Sequence, residues 1–231
     1  MKAAWTTALA VLVGCSRPTV IVEAPADPAP VAAAAAAEDP LVEQEAVREA
    51  VRSYAAALGA REAEAAREWV VFETFGFYED LRIAALRASR EQLEAWDLMT
   101  VILILQIRSE VPRAQLEALD GRGLFARAVN DGLVGEQLED IALDEVWIDE
   151  EREHAQIRVE GDPVVWLRRG PDDERWRVDI PEMIRLLGPA IEALARERVL
   201  ADGKVRTALT FVELSADGFV DIAVLDGPLD E

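Results

Sequence analysis

Close to Gly135 the spacing of apolar residues changes from a helical to a strand-like period, and this change constrains the fold most. Before it, apolar residues recur every three or four positions, as on one face of an α-helix. After it, Ala155, Ile157 and Val159 alternate with polar residues, which is the period of a half-buried β-strand. The pattern predicts an α+β fold, in which N-terminal helices precede an antiparallel sheet and further helices follow.

The first half carries clear helix boundaries. Asp39-Pro40 suits an N-cap followed by the first helical residue, and Gly59 suits a helix end. A second helix is predicted over residues 60–72 and a third over 78–88. A capping box at Ser89 opens a fourth, which is expected to run to about residue 108. Its residues 101–105 have strand-like composition, but the flanking spacing favours a helix. Two short helices are predicted over 115–119 and 124–129, separated by residues 120–123.

The second half predicts a meander of three or four strands. The strand candidates are residues 141–148, 155–159, 164–167 and 176–180. Turns are expected at residues 161–163 and 170–173, where Gly, Pro and Asp cluster. A helix should begin at Pro181 and kink at Gly188-Pro189, and another is predicted over 204–214. The apolar residues of 219–229 indicate a tail that docks on the domain.

The N-terminal 14 residues have the organisation of a signal peptide. Lys2 is followed by an apolar run over residues 3–13, which is too short to cross a bilayer. The run ends in Leu12-Val13-Gly14-Cys15, which resembles the lipobox of bacterial lipoproteins. The resemblance implies cleavage before Cys15 and acylation of its thiol and often of its new amino group. Ser16 after the cysteine implies, by the same resemblance, the outer membrane, facing either the periplasm or the cell surface. The alternative is an ordinary secretory signal that contains a cysteine by chance.

Residues 15–39 are predicted to be a tether between the lipidated cysteine and a single domain over 40–231. Residues 16–39 contain four prolines and a run of six alanines, with few residues that could build a core. Such a segment spans about 75 Å if fully extended and roughly 25–30 Å as a flexible coil.

The charge balance restricts the partners. The chain has 24 basic and 45 acidic residues, a net charge of −21 and a sequence pI near 4.4. Phosphates would be repelled, so nucleic acid is not an expected partner. Attraction to an anionic lipid surface is opposed for the same reason, and the domain is expected to stand off from the membrane. No apolar stretch of spanning length follows the leader, so no transmembrane helix is predicted.

The order of elements also resembles the nuclear transport factor two-like superfamily, which includes SnoaL-like cyclases and ketosteroid isomerases. The similarity lies in the opening helix that ends in Tyr54-Ala55-Ala56-Ala57-Leu58-Gly59 and in the strand Glu174-Arg175-Trp176-Arg177-Val178-Asp179. It implies a cone-like fold with a helical insertion over residues 73–133. The superfamily contains enzymes, ligand binders and interaction modules, so the resemblance implies no single function.

One hypothesis places a hydrophobic cavity between the sheet and the helices. Its candidate lining residues are Tyr54, Tyr78, Asp97, Trp147, Trp166 and Trp176. The aromatic residues could equally form the core. Asp97 lies in the most apolar helix, where burial would raise its pKa and suit it as a base. The alternative is an exposed face, because Glu94, Asp97 and Thr100 follow each other at helical spacing.

No catalytic residue, metal site or cofactor is predicted. His154, the only histidine, shares the polar strand face with Gln156 and Arg158 and is expected at the surface. The domain has no second histidine and no cysteine, which argues against a transition-metal site of those ligands. Its acidic clusters lack the spacing of a calcium loop.

The favoured hypothesis is a lipid-anchored envelope protein whose domain binds a protein or an apolar ligand without catalysis. One alternative is a lipid-anchored enzyme of the SnoaL or isomerase type, with a carboxylate in an aromatic pocket. A second is a structural spacer with no ligand.

Overall fold

A computed structural model describes residues 40–134, 138, 141–197, 203–215 and 220–229. The described chain is α+β, with helices first, a four-stranded antiparallel sheet next and helices last, which confirms the predicted fold class. The predicted signal peptide and tether, over residues 1–39, and the change of pattern at Gly135 lie outside the described residues.

Seven helices make up the described part of the first half. They are α1 Pro40–Gly59, α2 Ala63–Arg67, α3 Glu73–Arg87, α4 Arg90–Ala95, α5 Leu98–Glu110, α6 Arg113–Ala118 and α7 Gly121–Asn130. Helix α1 has its predicted bounds and buries its predicted stripe of Val47, Val51, Tyr54 and Leu58. Helix α3 lies between α7 and α5.

The second helix, predicted over residues 60–72, is confirmed only over Ala63–Arg67. Residues 60–62 are not helical, and the prediction is also wrong beyond Arg67. The chain leaves helical geometry and runs alongside the last strand of the sheet. The amide of Val178 donates to the carbonyl of Trp69 at 2.8 Å, and the amide of Val71 donates to the carbonyl of Val178 at 3.0 Å. This short pairing satisfies backbone groups that a longer helix would have satisfied internally.

The predicted helix over residues 89–108 is two helices. The capping box of Ser89 and Gln92 is present and opens α4, but the backbone becomes extended at Trp96. Asp97 then begins a new helix, because its carboxylate accepts a hydrogen bond from the amide of Thr100 at 2.9 Å. Residues 101–105 are helical, as expected.

Residues 120–123 were predicted to separate two short helices, and this prediction is wrong. Their two glycines lie in the first turn of α7. Asp120 is the N-cap and accepts from the amide of Gly123 at 2.7 Å. Gly121 packs directly on the backbone of α3, and a Cβ there would lie 2.2 Å from the carbonyl oxygen of Phe75. Only glycine permits this approach, which brings α7 against α3.

The four strands are β1 Glu145–Ile148, β2 His154–Val159, β3 Asp162–Arg169 and β4 Trp176–Val178, in that order across the sheet. The turn between β2 and β3 is a two-residue hairpin of Glu160 and Gly161, with φ of 54° and 89°. These angles fit a type I′ turn. Asp162 and Pro163 therefore belong to β3 rather than to the predicted turn. Strand β1 begins four residues later than predicted, and Ile180 begins a helix instead of ending a strand.

The C-terminal part comprises helices α8 Ile180–Glu197 and α9 Lys204–Ser215 and the 3₁₀ helix Ile222–Leu225. Helix α8 continues through Pro189, α9 packs on α5, and α1 packs on β1 and β4. The predicted docking of the tail is confirmed over the described residues 220–229, because Val224 and Leu225 are buried.

Arg108 joins these parts from inside the core. Its side chain is buried, and burial lowers its pKa to about 10, so it stays cationic at neutral pH. Its guanidinium donates to backbone carbonyls at the end of α3 and in the 3₁₀ helix, including those of Ala85 at 2.8 Å, Ala88 at 2.6 Å and Val224 at 3.0 Å. One buried cation thus binds two chain segments far apart in sequence.

Candidate functional site

Four of the six candidate pocket residues lie in the packed interior. Tyr54 and Tyr78 are buried, and desolvation raises the pKa of both phenols. The ring of Tyr78 packs edge-on against Phe125, with centroids 5.3 Å apart. Trp166 and Trp176 are buried in the sheet. These residues belong to the core, which was the alternative interpretation.

The interpretation of Asp97 as a buried acid is wrong. The residue is exposed, and its carboxylate caps α5. The expectation that Asp97 is solvated is therefore correct. Its stated reason, one helical face shared with Glu94 and Thr100, is wrong, because Glu94 lies on α4 and the half-buried Thr100 on α5. An exposed carboxylate that caps a helix does not have the buried surroundings that the isomerase hypothesis needs.

Trp147 is the candidate that does border a cleft. This cleft, which we call the α1–β1 cleft, has a volume of about 320 Å³ and is open to solvent. The first turns of α1 contribute Glu43 and Gln44, and β1 with its following turn contributes Trp147, Asp149 and Arg152. Residues of the first helix and of the first hairpin therefore meet where residues 1–39 join the domain.

The carboxylate of Glu43 lies at the base of this cleft. Its side chain is 4% exposed and faces two guanidinium groups, those of Arg152 and Arg169, each at 3.4 Å. The carboxylate also lies in the first turn of α1, where the helix dipole favours a negative charge. Arg169 also lies 3.8 Å from Glu174 on the exposed side, so two cations face two carboxylates in this cluster.

The turn after β1 is organised by Asp149. Its carboxylate accepts from the amide of Glu153 at 2.9 Å, from the amide of His154 at 3.2 Å and from the ring of His154 at 2.9 Å. Partial burial would raise the pKa of Asp149, but these hydrogen bonds outweigh it and lower the pKa below its usual value. The ring of His154 is 57% exposed, so the predicted surface position is confirmed.

Trp147 presents an aromatic surface next to this turn. It is 40% exposed, and the guanidinium carbon of Arg158 lies 5.1 Å from its ring centroid. In the sheet register it lies opposite Gln156, which in turn lies opposite Trp166. Aromatic and arginine side chains at a surface are the residue types that contribute most to binding energy in protein interfaces.

A second and larger cleft lies between α2 and α7. Its volume is about 640 Å³, and its lining includes Arg61, Glu62, Glu64 and Asn130. It is a wide, polar surface groove, and none of the residues predicted from the sequence borders it.

Sequence reasoning missed Glu43, Asp149 and Arg152. The signal for Glu43 was available, because it precedes Val47 by one helical turn and so extends the buried stripe of α1 with a charged residue. A carboxylate at such a position requires cationic partners. The identity of those partners depended on the tertiary fold.

Within the described residues, no group of three or more histidine, cysteine or acidic side chains is arranged to hold a metal ion. Among the described helices, none has the length and apolar composition needed to cross a membrane. Comparison of the chain with protein-family models, curated proteins and solved structures finds no match.

Proposed function

We propose that this protein is a lipid-anchored component of the bacterial cell envelope, whose domain binds a protein or ligand rather than catalysing a reaction. The anchor is the acylated Cys15 at the end of the lipobox-like Leu12-Val13-Gly14-Cys15. Two or more acyl chains hold a protein stably on a membrane, whereas one does not. Residues 16–39 then tether a domain whose first helix begins at Pro40.

The α1–β1 cleft supports the binding role and is the observation that carries it. It combines an exposed tryptophan beside an arginine with a cleft that contains both carboxylate and guanidinium groups. Such a surface can bury an apolar side chain against Trp147 and pair polar groups with Gln44 and Arg152. The enzyme alternative has lost its only assigned acid, since Asp97 is an exposed helix cap.

Two linked experiments test this proposal. Cells producing the wild type or Cys15→Ala are fed an alkyne fatty acid and fractionated. The wild type should carry the label and sediment with membranes, and the variant should lose both properties. Recovery of Cys15→Ala in the membrane fraction at the wild-type level would contradict the anchor.

The second experiment replaces Trp147 with a photoreactive phenylalanine analogue and irradiates the cells. A discrete crosslinked species should form from this position. The matched control is the same analogue at Ile222, which is 56% exposed and lies outside the cleft. Equal crosslinking from both positions would show that the cleft has no binding preference.

A further inference from the structure

A second arginine–aromatic surface lies on the helices and shares no residue with the lining of the α1–β1 cleft. We call it the helical cluster, and it consists of Arg67, Phe72, Phe75 and Arg122. The guanidinium carbon of Arg122 lies 5.6 Å from the ring centroid of Phe72 and 5.2 Å from that of Phe75. Arg67 lies over the same Phe75 ring at 5.8 Å. Phe72 itself is 71% exposed, among the most exposed large apolar residues described.

The two arginines of the helical cluster differ in their charge balance. Arg67 is neutralised by Glu64, whose two carboxylate oxygens both lie 2.7 Å from the same guanidinium nitrogen. Arg122 is exposed, and no carboxylate among the described residues forms an ion pair with it. A cation that has no ion-pair partner among the described residues therefore lies beside an exposed aromatic ring, on a chain whose net charge is −21.

This combination fits the interface of a lipid bilayer. Aromatic rings are favoured at the level of the headgroups, where an apolar ring enters the edge of the acyl region. One cationic side chain close to an anionic leaflet raises the constant for binding of the protein to the membrane about fivefold. Glu64 and Glu73 beside the cluster are paired with Arg67 at 2.7 Å and with Arg168 at 3.0 Å, whereas Glu68 and Asp120 reduce the gain. Acidic groups further away than about 8 Å are largely screened at physiological salt.

The reach of the tether makes the lipid surface the best-supported occupant. Helix α1 has 20 residues and is therefore about 30 Å long. The tether joins the first residue of α1, and the helical cluster lies on elements that follow α1 in the chain. A coil of 24 residues spans roughly 25–30 Å, about the length of α1, so the tether is long enough for the cluster to reach the membrane. Tethering also supplies an effective concentration in the millimolar range, so even weak docking becomes populated.

We propose that the helical cluster docks the tethered domain on the membrane, with Phe72 in the interface and Arg122 against an anionic headgroup. The proposal rests on the lipid anchor at Cys15. It replaces the expectation, drawn from net charge alone, that the domain stands off from the membrane. Docking through this face would hold the domain in one orientation relative to the bilayer.

The test uses the full-length acylated protein with a reporter at position 76. Cys15 is the only cysteine of the chain and is acylated in the proposal, so Gly76→Cys adds the sole free thiol. Gly76 lies in α3, one turn after Phe72, and a Cβ there meets no atom within 4 Å. A polarity-sensitive fluorophore is attached, and the protein is reconstituted in phosphatidylethanolamine vesicles with or without phosphatidylglycerol.

The reporter should enter a less polar environment on vesicles that contain phosphatidylglycerol. The positional control is the same label at Leu214→Cys, on α9, which packs on α5 instead of on the α3–α7 pair. This residue is 58% exposed, and its label should stay in water. Equal responses from both positions would overturn the proposal.

Two substitutions in the cluster then provide the specificity test. Arg122→Glu should weaken docking by about twentyfold, because it changes the local charge by two units. Phe72→Ala should weaken it by about fivefold or more through lost apolar contact. The matched controls are Arg90→Glu, the same reversal on an exposed residue of α4, and Val42→Ala, which is 64% exposed on α1. Controls that weaken docking as much as the cluster variants would refute the assignment.

Flotation of the vesicles separates the two proposals. If the protein floats but its label at position 76 stays in water, the lipid anchor is supported and the docking proposal is overturned. If the protein does not float, the lipid anchor is contradicted, and the docking proposal, which rests on it, fails as well. A label that is in water on vesicles but shielded on intact cells assigns the helical cluster to a protein partner and overturns the lipid proposal.

Discussion

Replacement of Arg108 by methionine should destabilise the fold more than any surface substitution. Methionine keeps much of the length of the side chain but removes every donor. The lost hydrogen bonds include Nε to Ala85 at 2.8 Å and Nη1 to the carbonyls of Val224 and Leu225, each at 3.0 Å. The carbonyls at the end of α3 and in the 3₁₀ helix would then lie buried without a donor.

The magnitude follows from two opposing contributions. Each hydrogen bond from a charged donor contributes about 1.5–3 kcal/mol, and a buried acceptor left unsatisfied costs about 1–3 kcal/mol. The variant no longer has to desolvate a cation, which offsets part of this loss. We expect a net decrease of about 3–5 kcal/mol in the free energy of unfolding. The C-terminal segment should also become more sensitive to protease, because Arg108 binds it to α3.

Urea unfolding followed by tryptophan fluorescence measures the change. Arg90→Met is the matched control, because Arg90 is exposed, and it should change stability by less than about 0.5 kcal/mol. Arg108→Lys should recover only part of the loss, because an ammonium group cannot reach carbonyls on both sides as a planar guanidinium does. The reasoning is refuted if Arg108→Met is as stable as the wild type.

Three further predictions concern single residues. Gly121→Ala should lower the free energy of unfolding by about 2–4 kcal/mol, because its Cβ would overlap the carbonyl of Phe75. Gly76→Ala, in the open part of α3, should raise it by about 0.5–1 kcal/mol. Similar urea midpoints for the two variants would contradict the close approach of α7 to α3. Glu43→Gln should destabilise by about 1–3 kcal/mol in the same assay, because two guanidinium groups lose their buried counter-ion, and an unchanged midpoint would argue against the ion cluster. Asp149→Asn should be less stable than the wild type above about pH 4. The difference in stability between the two proteins should shrink as the pH falls through the lowered pKa of Asp149, because protonation then removes the same charge from the wild type. A difference that does not vary with pH would contradict this role of the Asp149 carboxylate.

Short patterns in the sequence correctly predicted the helices and strands whose ends depend on residues nearby in the chain. Helix α1 begins and ends at Pro40 and Gly59 because cap and end signals act within one turn. The alternation around Ile157 marks a buried strand because side chains in a strand alternate between faces. The short hairpin at Gly161 was placed one or two residues late, since positive φ at Glu160 cannot be read from its type.

The remaining features depend on contacts between distant parts of the chain. Helix α2 is short because residues 69–71 pair with Val178, more than a hundred positions away. The α1–β1 cleft exists because Glu43 reaches Arg152 and Arg169, whose positions follow from the sheet register. The sequence left Asp97 open between a buried acid and an exposed residue, because a cap within an apolar stretch resembles a buried acid until the helix break at Trp96 is known.

The proposed anchoring of this protein in a membrane through Cys15 can be tested by the mass of the mature N-terminal fragment. Protein purified from membranes with detergent is digested, and the fragment that contains Cys15 is analysed by mass spectrometry. We expect a fragment that begins at Cys15 and carries acyl groups on its thiol or its amino group. A mature protein that begins elsewhere and retains a free thiol at Cys15 would contradict it.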